Sequence, residues 1–331
     1  MRGFDVVVMG EPLVELHSDE VLNAATTFAL SFSGDALNAA AAAVAAGAVT
    51  ALLTIVGDDE LGDALVARLT ELGVDTSLVR RSARPNGAYL VGSDVAGDRE
   101  FIYWRTGSAA SALSAAEIER ERDTLRRSKA LVVSGIGAAL SPSSEQAVLL
   151  AARVVSEAGG QVTYDPNFRG RLTTPQRARE VLARIAPSTT LMTPSCPGDS
   201  RPLLETDDPD ETAEACAALG AGVVAVTAGP AAVTVHQRGR RFTVPVPVVP
   251  GAVDATGAGD VLTGTVTARM ALGDDLETAL RIGVAAAALS TTGRGGTGRL
   301  ATLADALDLA ADTVVRPGET SEPTEESSWQ A

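Results

Sequence analysis

Asp254-Ala-Thr-Gly-Ala-Gly-Asp260, followed at once by the apolar run Val261 to Met270, puts three small residues and a carboxylate where a loop turns into a helix. At such a junction the first backbone N–H groups have no intrahelical acceptor and carry the positive end of the helix dipole. Gly257 and Gly259 lack a Cβ and Ala258 has the smallest, so the oxygens of an anion can approach those amides closely. Asp260 stands beside them, where it can take a proton from an attacking hydroxyl. The segment reads as a phosphate cradle with a base attached. Phosphoryl transfer asks little more of a protein than positioning and neutralisation of developing charge. A Gly-rich turn capping an ordinary helix would look the same in isolation, so the rest of the chain must discriminate.

With 331 residues, 45% of them hydrophobic, the chain can bury an ample core as one large or two modest domains. Aromatics are only 3%, so that core has to be built from Ala, Val and Leu. The 42 acidic against 27 basic side chains give a net charge of −15, which argues against nucleic acid or an anionic membrane as partner. An anionic ligand must then be held by locally placed arginines and amide dipoles. Cys196 and Cys216 lie in unlike settings without metal spacing and read as reduced cytosolic thiols, and His17 and His236 have no nucleophile motif around them. The N-terminus is too short and charged for a signal peptide, and no apolar run reaches the roughly 18–20 residues of a membrane span. A soluble, cytoplasmic protein is expected.

Apolar strands alternate with amphipathic helices along the chain. Asp5 to Met9, Val49 to Val56, Leu131 to Ser134, Val162 to Asp165, Leu191 to Thr193 and Val223 to Thr227 read as strands. Ala36 to Ala46 and the stretch carrying Leu61, Leu65, Leu69 and Leu72 read as helices stopped at Gly47 and Gly73. Ser114 with Glu117, Ser143 with Gln146 and Asp208 with Glu211 have capping-box spacing and predict three more helix starts. This alternation favours a mainly parallel sheet with helices on both faces. Two places break the rhythm. Ala88 to Gly92 and Arg99 to Trp104, joined by the turn-rich Asp94 to Asp98, have no helix between them. With Leu13 to Leu16 and Thr27 to Ser33 they are expected to form a small projecting sheet, a lid. Residues 316–331 are rich in Pro, Ser, Thr and Glu and are expected to be a disordered acidic tail.

These residues carry a resemblance. Over residues 3 to 312 the sequence resembles the ribokinase (PfkB) carbohydrate kinase family, through Asp254-Ala-Thr-Gly-Ala-Gly-Asp260 near the C-terminus and an altered amino-terminal signature, Ser33-Gly34-Asp35-Ala36-Leu37-Asn38. Gly57-Asp58-Asp59-Glu60-Leu61-Gly62 and Leu72-Gly73-Val74-Asp75 match in the same order. Within the family it is most similar to 2-keto-3-deoxygluconate kinases, on Gly10-Glu11-Pro12-Leu13, Phe101-Ile-Tyr103-Trp-Arg105, Gly107-Ser-Ala-Ala-Ser-Ala-Leu113 and Asp165-Pro-Asn167-Phe-Arg169. The resemblance implies a ribokinase-like three-layer α/β/α fold with a mainly parallel central sheet and a small β-sheet lid. One domain would span residues 1–315, with lid strands from about 11–33 and 86–105.

It also implies roles. Gly34, Asn38, Tyr89, Tyr103, Arg105 and Arg169 would line a sugar-acid site, with Asp260 as base and Gly257, Ala258 and Gly259 as the anion cradle. The chemistry agrees: arginine forks suit a carboxylate, while Tyr89, Tyr103 and Asn38 suit hydroxyls. Tyrosines on a lid strand can equally be packing, and arginines surface ion pairs, as Arg120 and Arg122 read in their charged helix. Arg169, however, follows Asp165-Pro-Asn167 at the end of a predicted central strand, the crevice where open α/β sheets bind ligands. ATP and Mg2+ would be the co-substrate, with Ser195, Thr227, Gly229, Gly257, Gly259 and Gly295 on the nucleotide side and helix Leu280 to Thr291 flanking adenine. Metal ligands stay unassigned, and a monovalent cation near Asp254 stays open. Exposed lid strands favour a homo-oligomer, a dimer.

Several positions depart from the family pattern. The Asn-x-x-Glu element that helps place magnesium is replaced by Ser195-Cys-Pro-Gly-Asp199, which displaces its acid by one residue. The usual second glycine after Gly229 is Ala232, the Asn of the penultimate helix is Gly283, and Leu172-Thr173 lacks the aromatic that commonly follows the arginine loop. The expected reaction is ATP-dependent phosphorylation of the terminal primary hydroxyl of a sugar acid. The rivals are a kinase for a neutral sugar such as ribose or fructose, a nucleoside kinase, which the scarcity of aromatics disfavours, and a non-catalytic sugar-acid sensor.

Overall fold

The computed structural model describes residues 3–93 and 99–318. In chain order the first strands are β1 (Val6–Met9), β2 (Leu13–His17), β3 (Ala29–Ser33), β4 (Thr50–Gly57), β5 (Val79–Ser82), β6 (Ala88–Ser93) and β7 (Arg99–Trp104). They are followed by β8 (Ala130–Ser134), β9 (Gln161–Asp165), β10 (Leu191–Met192), β11 (Val223–Val226), β12 (Val233–Gln237), β13 (Arg240–Val244) and β14 (Arg316–Pro317). The main sheet has the order β14-β13-β12-β11-β10-β9-β8-β1-β4-β5. Pairing is parallel from β5 across to β11 and antiparallel from β11 to β14. Strands β1, β4, β8 and β11 are buried along their whole length, as apolar runs covered on both faces must be.

The core follows the composition. Between the sheet and one helical layer lie Val7, Leu53, Leu131, Val155, Leu182 and Val226, and on the other face Val6, Val8, Leu52, Leu65 and a series of alanines. Small side chains let helices approach one another, and one such crossing builds the site. Helix Asp35–Ala45 packs on helix Ala258–Leu272 so tightly that a Cβ at Gly264 would fall 2.2 Å from the Ala39 carbonyl oxygen. Asn38 and Asp260, near the starts of these two helices, are thereby brought face to face.

The lid is a separate four-stranded sheet, β3-β2-β6-β7. Its register puts Glu15 opposite Ser31 and Tyr89, and Tyr89 opposite Tyr103, so these share one face. The turn between β6 and β7, expected at Asp94 to Asp98, lies outside the described residues.

Some expectations are corrected. The antiparallel edge β12 to β14 and strand β5 break the simple alternation of strand and helix. The start predicted at Ser143 with Gln146 is instead Ser141, whose hydroxyl accepts from the Ser144 amide at 3.0 Å while Ser144 Oγ accepts from the Ser141 amide at 2.9 Å. Pro142 at the first helical position fixes that earlier start. Ser114 is an N-cap by position, but its hydroxyl donates to the Glu117 carboxylate instead of receiving a backbone amide. Asp208 caps as expected, accepting from the Asp210 and Glu211 amides. Arg316 and Pro317 do not belong to a tail: they pair with Thr243 and Phe242 at the sheet edge. Residues 319–331 lie outside the described part.

Candidate active site

Asp260 enters the cleft from the first turn of helix Ala258–Leu272, whose N-cap Gly257 is left-handed at φ 78. Glycine is required there twice over, since a Cβ would meet Gly296 Cα at 2.8 Å and Asn38 Nδ2 at 3.0 Å in a backbone state that L-residues resist. The Ala258 amide is turned back to the Ala255 carbonyl at 3.2 Å. The amides of Gly257, Gly259 and Asp260 take no acceptor among the described residues, and around Gly259 a Cβ would meet nothing within 4 Å. The open donors of the cradle are therefore these three, with Ala258 serving the turn.

Both oxygens of Asp260 are addressed by amides. Asn38 Nδ2 donates to Oδ2 at 2.9 Å, and Asn167 Nδ2 lies 3.5 Å from Oδ1. Asn38 is itself steadied by the Ser33 hydroxyl, 3.4 Å from its Oδ1. Burial pushes the Asp260 carboxyl up to about 7, the nearby negative charge of Asp35 adds to the rise, and Asn38, Arg169 and Asn167 hold it down. A base poised near neutrality is what a hydroxyl-activating residue needs. Asp35, Asp165, Asn167, Ser134 and Asp260 line one narrow pocket. Asp35 Oδ2 accepts from the Ser134 hydroxyl, while its Oδ1 is buried without a hydrogen-bond partner among the described residues. Asp165 is likewise raised, first by burial and then by the charge of Asp199.

The remaining residues expected on the sugar side divide into two groups. Gly34 caps helix Asp35–Ala45 beside Asn38, and Arg169 follows β9 in the loop that carries Asn167. Arg169 is exposed, bonds the Phe168 carbonyl at 3.0 Å and has no carboxylate ion pair among the described residues. Arg105 and Tyr89 are engaged elsewhere. Arg105 is 5% exposed, and its Nε donates to Glu11 Oε2 at 2.8 Å; its Nη2 lies 2.5 Å from the same oxygen but is not aligned as a hydrogen bond. Glu11, which also accepts from Ser108, is 1% exposed. Leaving either charge without the other would cost about 3–5 kcal/mol, so the pair fixes the end of β7 against the segment after β1. Tyr89 donates to Glu15 and packs 5.7 Å from the ring of Tyr103, which also sits 5.9 Å from the Arg105 guanidinium. A second pocket opens between lid residues Glu15, His17, Tyr89 and Phe101 and body residues Asp254, Thr256, Arg294 and Gly295.

On the side expected to face nucleotide, Ser195 bridges to Thr227 and the Cys196 amide donates to the Thr227 carbonyl at 2.7 Å, with a cis peptide bond at Cys196–Pro197. Gly229, left-handed at φ 59, follows in open space. Ser195, Thr227 and Gly229 thus cluster beyond the ends of β10 and β11. Gly295 stands apart from them, its amide held by Asp254 Oδ2 at 2.6 Å and its α-carbon facing Glu15. Among the described residues no group of three His, Cys, Asp or Glu is arranged to hold a metal ion. The sequence alone left Asp35, Asn167, Glu11 and Glu15 without roles, though Asp35, Asn167 and Glu11 stand inside the quoted motifs.

The sequence pattern described as pfkB family carbohydrate kinase matches residues 4–303. The chain belongs to this family. It is a pfkB carbohydrate kinase with the ribokinase-like three-layer fold, and 2-dehydro-3-deoxygluconokinases are among its relatives. One from Thermoproteus tenax is 31% identical over 296 residues, 88% of this chain and 89% of its own length. A 2-dehydro-3-deoxygalactonokinase of Haloferax volcanii is 29% identical over 296 residues, 88% of this chain and 92% of its own. An Escherichia coli protein assigned as a ribokinase II, solved with ATP and Mg2+, superposes with a TM-score of 0.83 at 25% identity, covering 94% of this pfkB kinase and 99% of that chain.

Proposed function

We propose that this carbohydrate kinase transfers the γ-phosphoryl group of Mg-ATP to the terminal primary hydroxyl of a 2-keto-3-deoxy sugar acid, most simply 2-keto-3-deoxygluconate, giving its 6-phosphate and ADP. The observation that carries the reading is Asp260, raised to about 7 and held between Asn38 and Asn167 beside open helix-start amides. Asp260 takes the hydroxyl proton as the oxygen attacks phosphorus, and the amides of Gly257 and Gly259 stabilise the added charge on the phosphoryl oxygens. Magnesium is assigned to the nucleotide, a reading supported by the E. coli relative solved with ATP and Mg2+. Ser195, Thr227 and Gly229 are assigned to the nucleotide, and Gly295 to the loop that closes over the cradle.

For the acid end of the substrate, Arg169 is the candidate: a cation at the end of β9, without a carboxylate partner among the described residues, near enough to Asp260 to lower its pKa. Arg105, committed to Glu11, is assigned to the wall that carries Tyr103 and Tyr89, with Gly34 and Asn38 on the facing side. Residues 1–315 act as one catalytic unit in this reading. The names of the Thermoproteus and Haloferax relatives support a 2-keto-3-deoxy sugar acid. A Zea mays fructokinase-2, 29% identical over 321 residues, keeps a neutral sugar as the second reading. An ADP-release assay across sugar acids and neutral sugars separates them: turnover is expected with 2-keto-3-deoxygluconate or its galacto epimer, and faster turnover of fructose or ribose would defeat the acid assignment.

The outer face of the lid supports a homodimer. Leu30, Ile102 and Trp104 are 53%, 39% and 58% exposed there, beside Leu16 and Leu90 in register, and a second copy of the chain would cover them.

A further inference from the structure

We propose that Asp199 is a positioning residue that staples the loop carrying Asn167 and Arg169 to the loop carrying Ser195, and that it does not place the metal. Asp199 occupies the segment that corresponds to the family's magnesium-placing acid, yet it is 2% exposed. Its Oδ1 accepts the Phe168 amide at 2.6 Å; its Oδ2 accepts the Ser195 amide at 2.8 Å and the Ser195 hydroxyl at 2.6 Å. An ionised carboxylate has about four acceptor sites, and three are taken by short, charge-assisted bonds. A buried carboxylate so occupied is a structural anchor.

What it anchors is specific. Asn167 adopts a left-handed φ of 39, and its amide is held by Asp165 Oδ1 at 3.0 Å. The next amide, that of Phe168, is the one that Asp199 takes. Two carboxylates thus grip successive amides and fix the reversal that turns Asn167 Nδ2 to Asp260 and starts Arg169 from the end of β9. The other half of the staple grips Ser195, which bridges onward to Thr227 beyond β11. A shift of the Ser195 loop on one side must therefore move the Asn167–Arg169 loop on the other. Binding at the two sides is coupled through this one carboxylate, and such coupling is reciprocal.

The proposal rests on the sugar-acid kinase reading only for the identity of the substrate. In Asp199→Asn one oxygen becomes a donor, and the loop that carries Arg169 loosens. The KM for the sugar acid at saturating Mg-ATP is expected to rise about tenfold, the scale of one lost charged hydrogen bond, while the free Mg2+ giving half-maximal rate stays at its wild-type value. A raised Mg2+ requirement with an unchanged sugar-acid KM, or no change in either, would overturn it. Amide exchange on the wild-type chain without metal provides a measurement that does not depend on the variant folding. The Phe168 and Ser195 amides are expected to exchange slowly and to stay slow when MgCl2 is added, whereas exchange at Phe168 as fast as in an exposed loop would sink the staple. If the wild type turns over no sugar acid, the substrate reading fails on its own, and the KM comparison is made with whichever sugar the enzyme phosphorylates.

Discussion

Asp260 owes its chemistry to its surroundings more than to its identity. Burial and the Asp35 charge raise its pKa, and Asn38, Arg169 and Asn167 lower it, leaving about 7. The base must be ionised to accept a proton, so kcat/KM is expected to fall as pH drops through about 7. Asp35→Asn removes a negative neighbour and should move that acid limb to lower pH; Asn38→Ala removes a hydrogen bond to the carboxylate and should move it higher. A limb that neither substitution moves would contradict this electrostatic account. The place of Asp260 in the first turn of a helix, next to small residues, was legible in the sequence because a carboxylate after G-A-G before an apolar run is a local pattern. The partners of Arg105 and Tyr89 were not, since Glu11 lies 94 residues from Arg105 and Glu15 lies 74 from Tyr89, and no spacing rule links such distant positions.

Two helix starts meet at the site, and their crossing sets the geometry. Gly264 allows the backbones to touch, and Gly257 turns the chain so that the first amides of the second helix stay open. Gly257→Ala forces a left-handed alanine, at about 1–2 kcal/mol, and drives its Cβ into the Gly296 backbone. Turnover should fall by at least an order of magnitude with the fold retained, as kcat and thermal unfolding measured together would reveal; an alanine variant with wild-type kcat would argue against the cradle. Strands with long apolar runs, such as β1 and β4, were readable within a residue or two. The short edge strands β5 and β12 to β14 were not, because Val79–Ser82 is polar and β14 is held by two pairings to a distant strand. The Ser141 cap was missed for a different reason: a serine fills the place where glutamate or glutamine was sought.

At the level of the whole chain, the net charge of −15 offers an anionic substrate no general attraction, so in the proposed reading its affinity rests on Arg169 and the amide cradle. No helix among the described residues is long and apolar enough to cross a membrane. The apolar outer face of the lid is expected to be where two chains meet. Trp104→Glu should halve the mass measured by light scattering, and a wild type already monomeric at micromolar concentration would refute the dimer. The three-layer order, the lid and the family were all legible beforehand from motifs in the right sequence order; the hydrogen bonds that commit Arg105 to Glu11 and Tyr89 to Glu15 were not. The most direct test of the account is the turnover of Asp260→Asn with ATP and 2-keto-3-deoxygluconate, compared with wild type at equal thermal stability. Loss of at least about 10²-fold in kcat, the lower bound for general-base assistance, is predicted with sugar binding near normal; a variant that keeps the wild-type rate would contradict the role of Asp260 and the mechanism built on it.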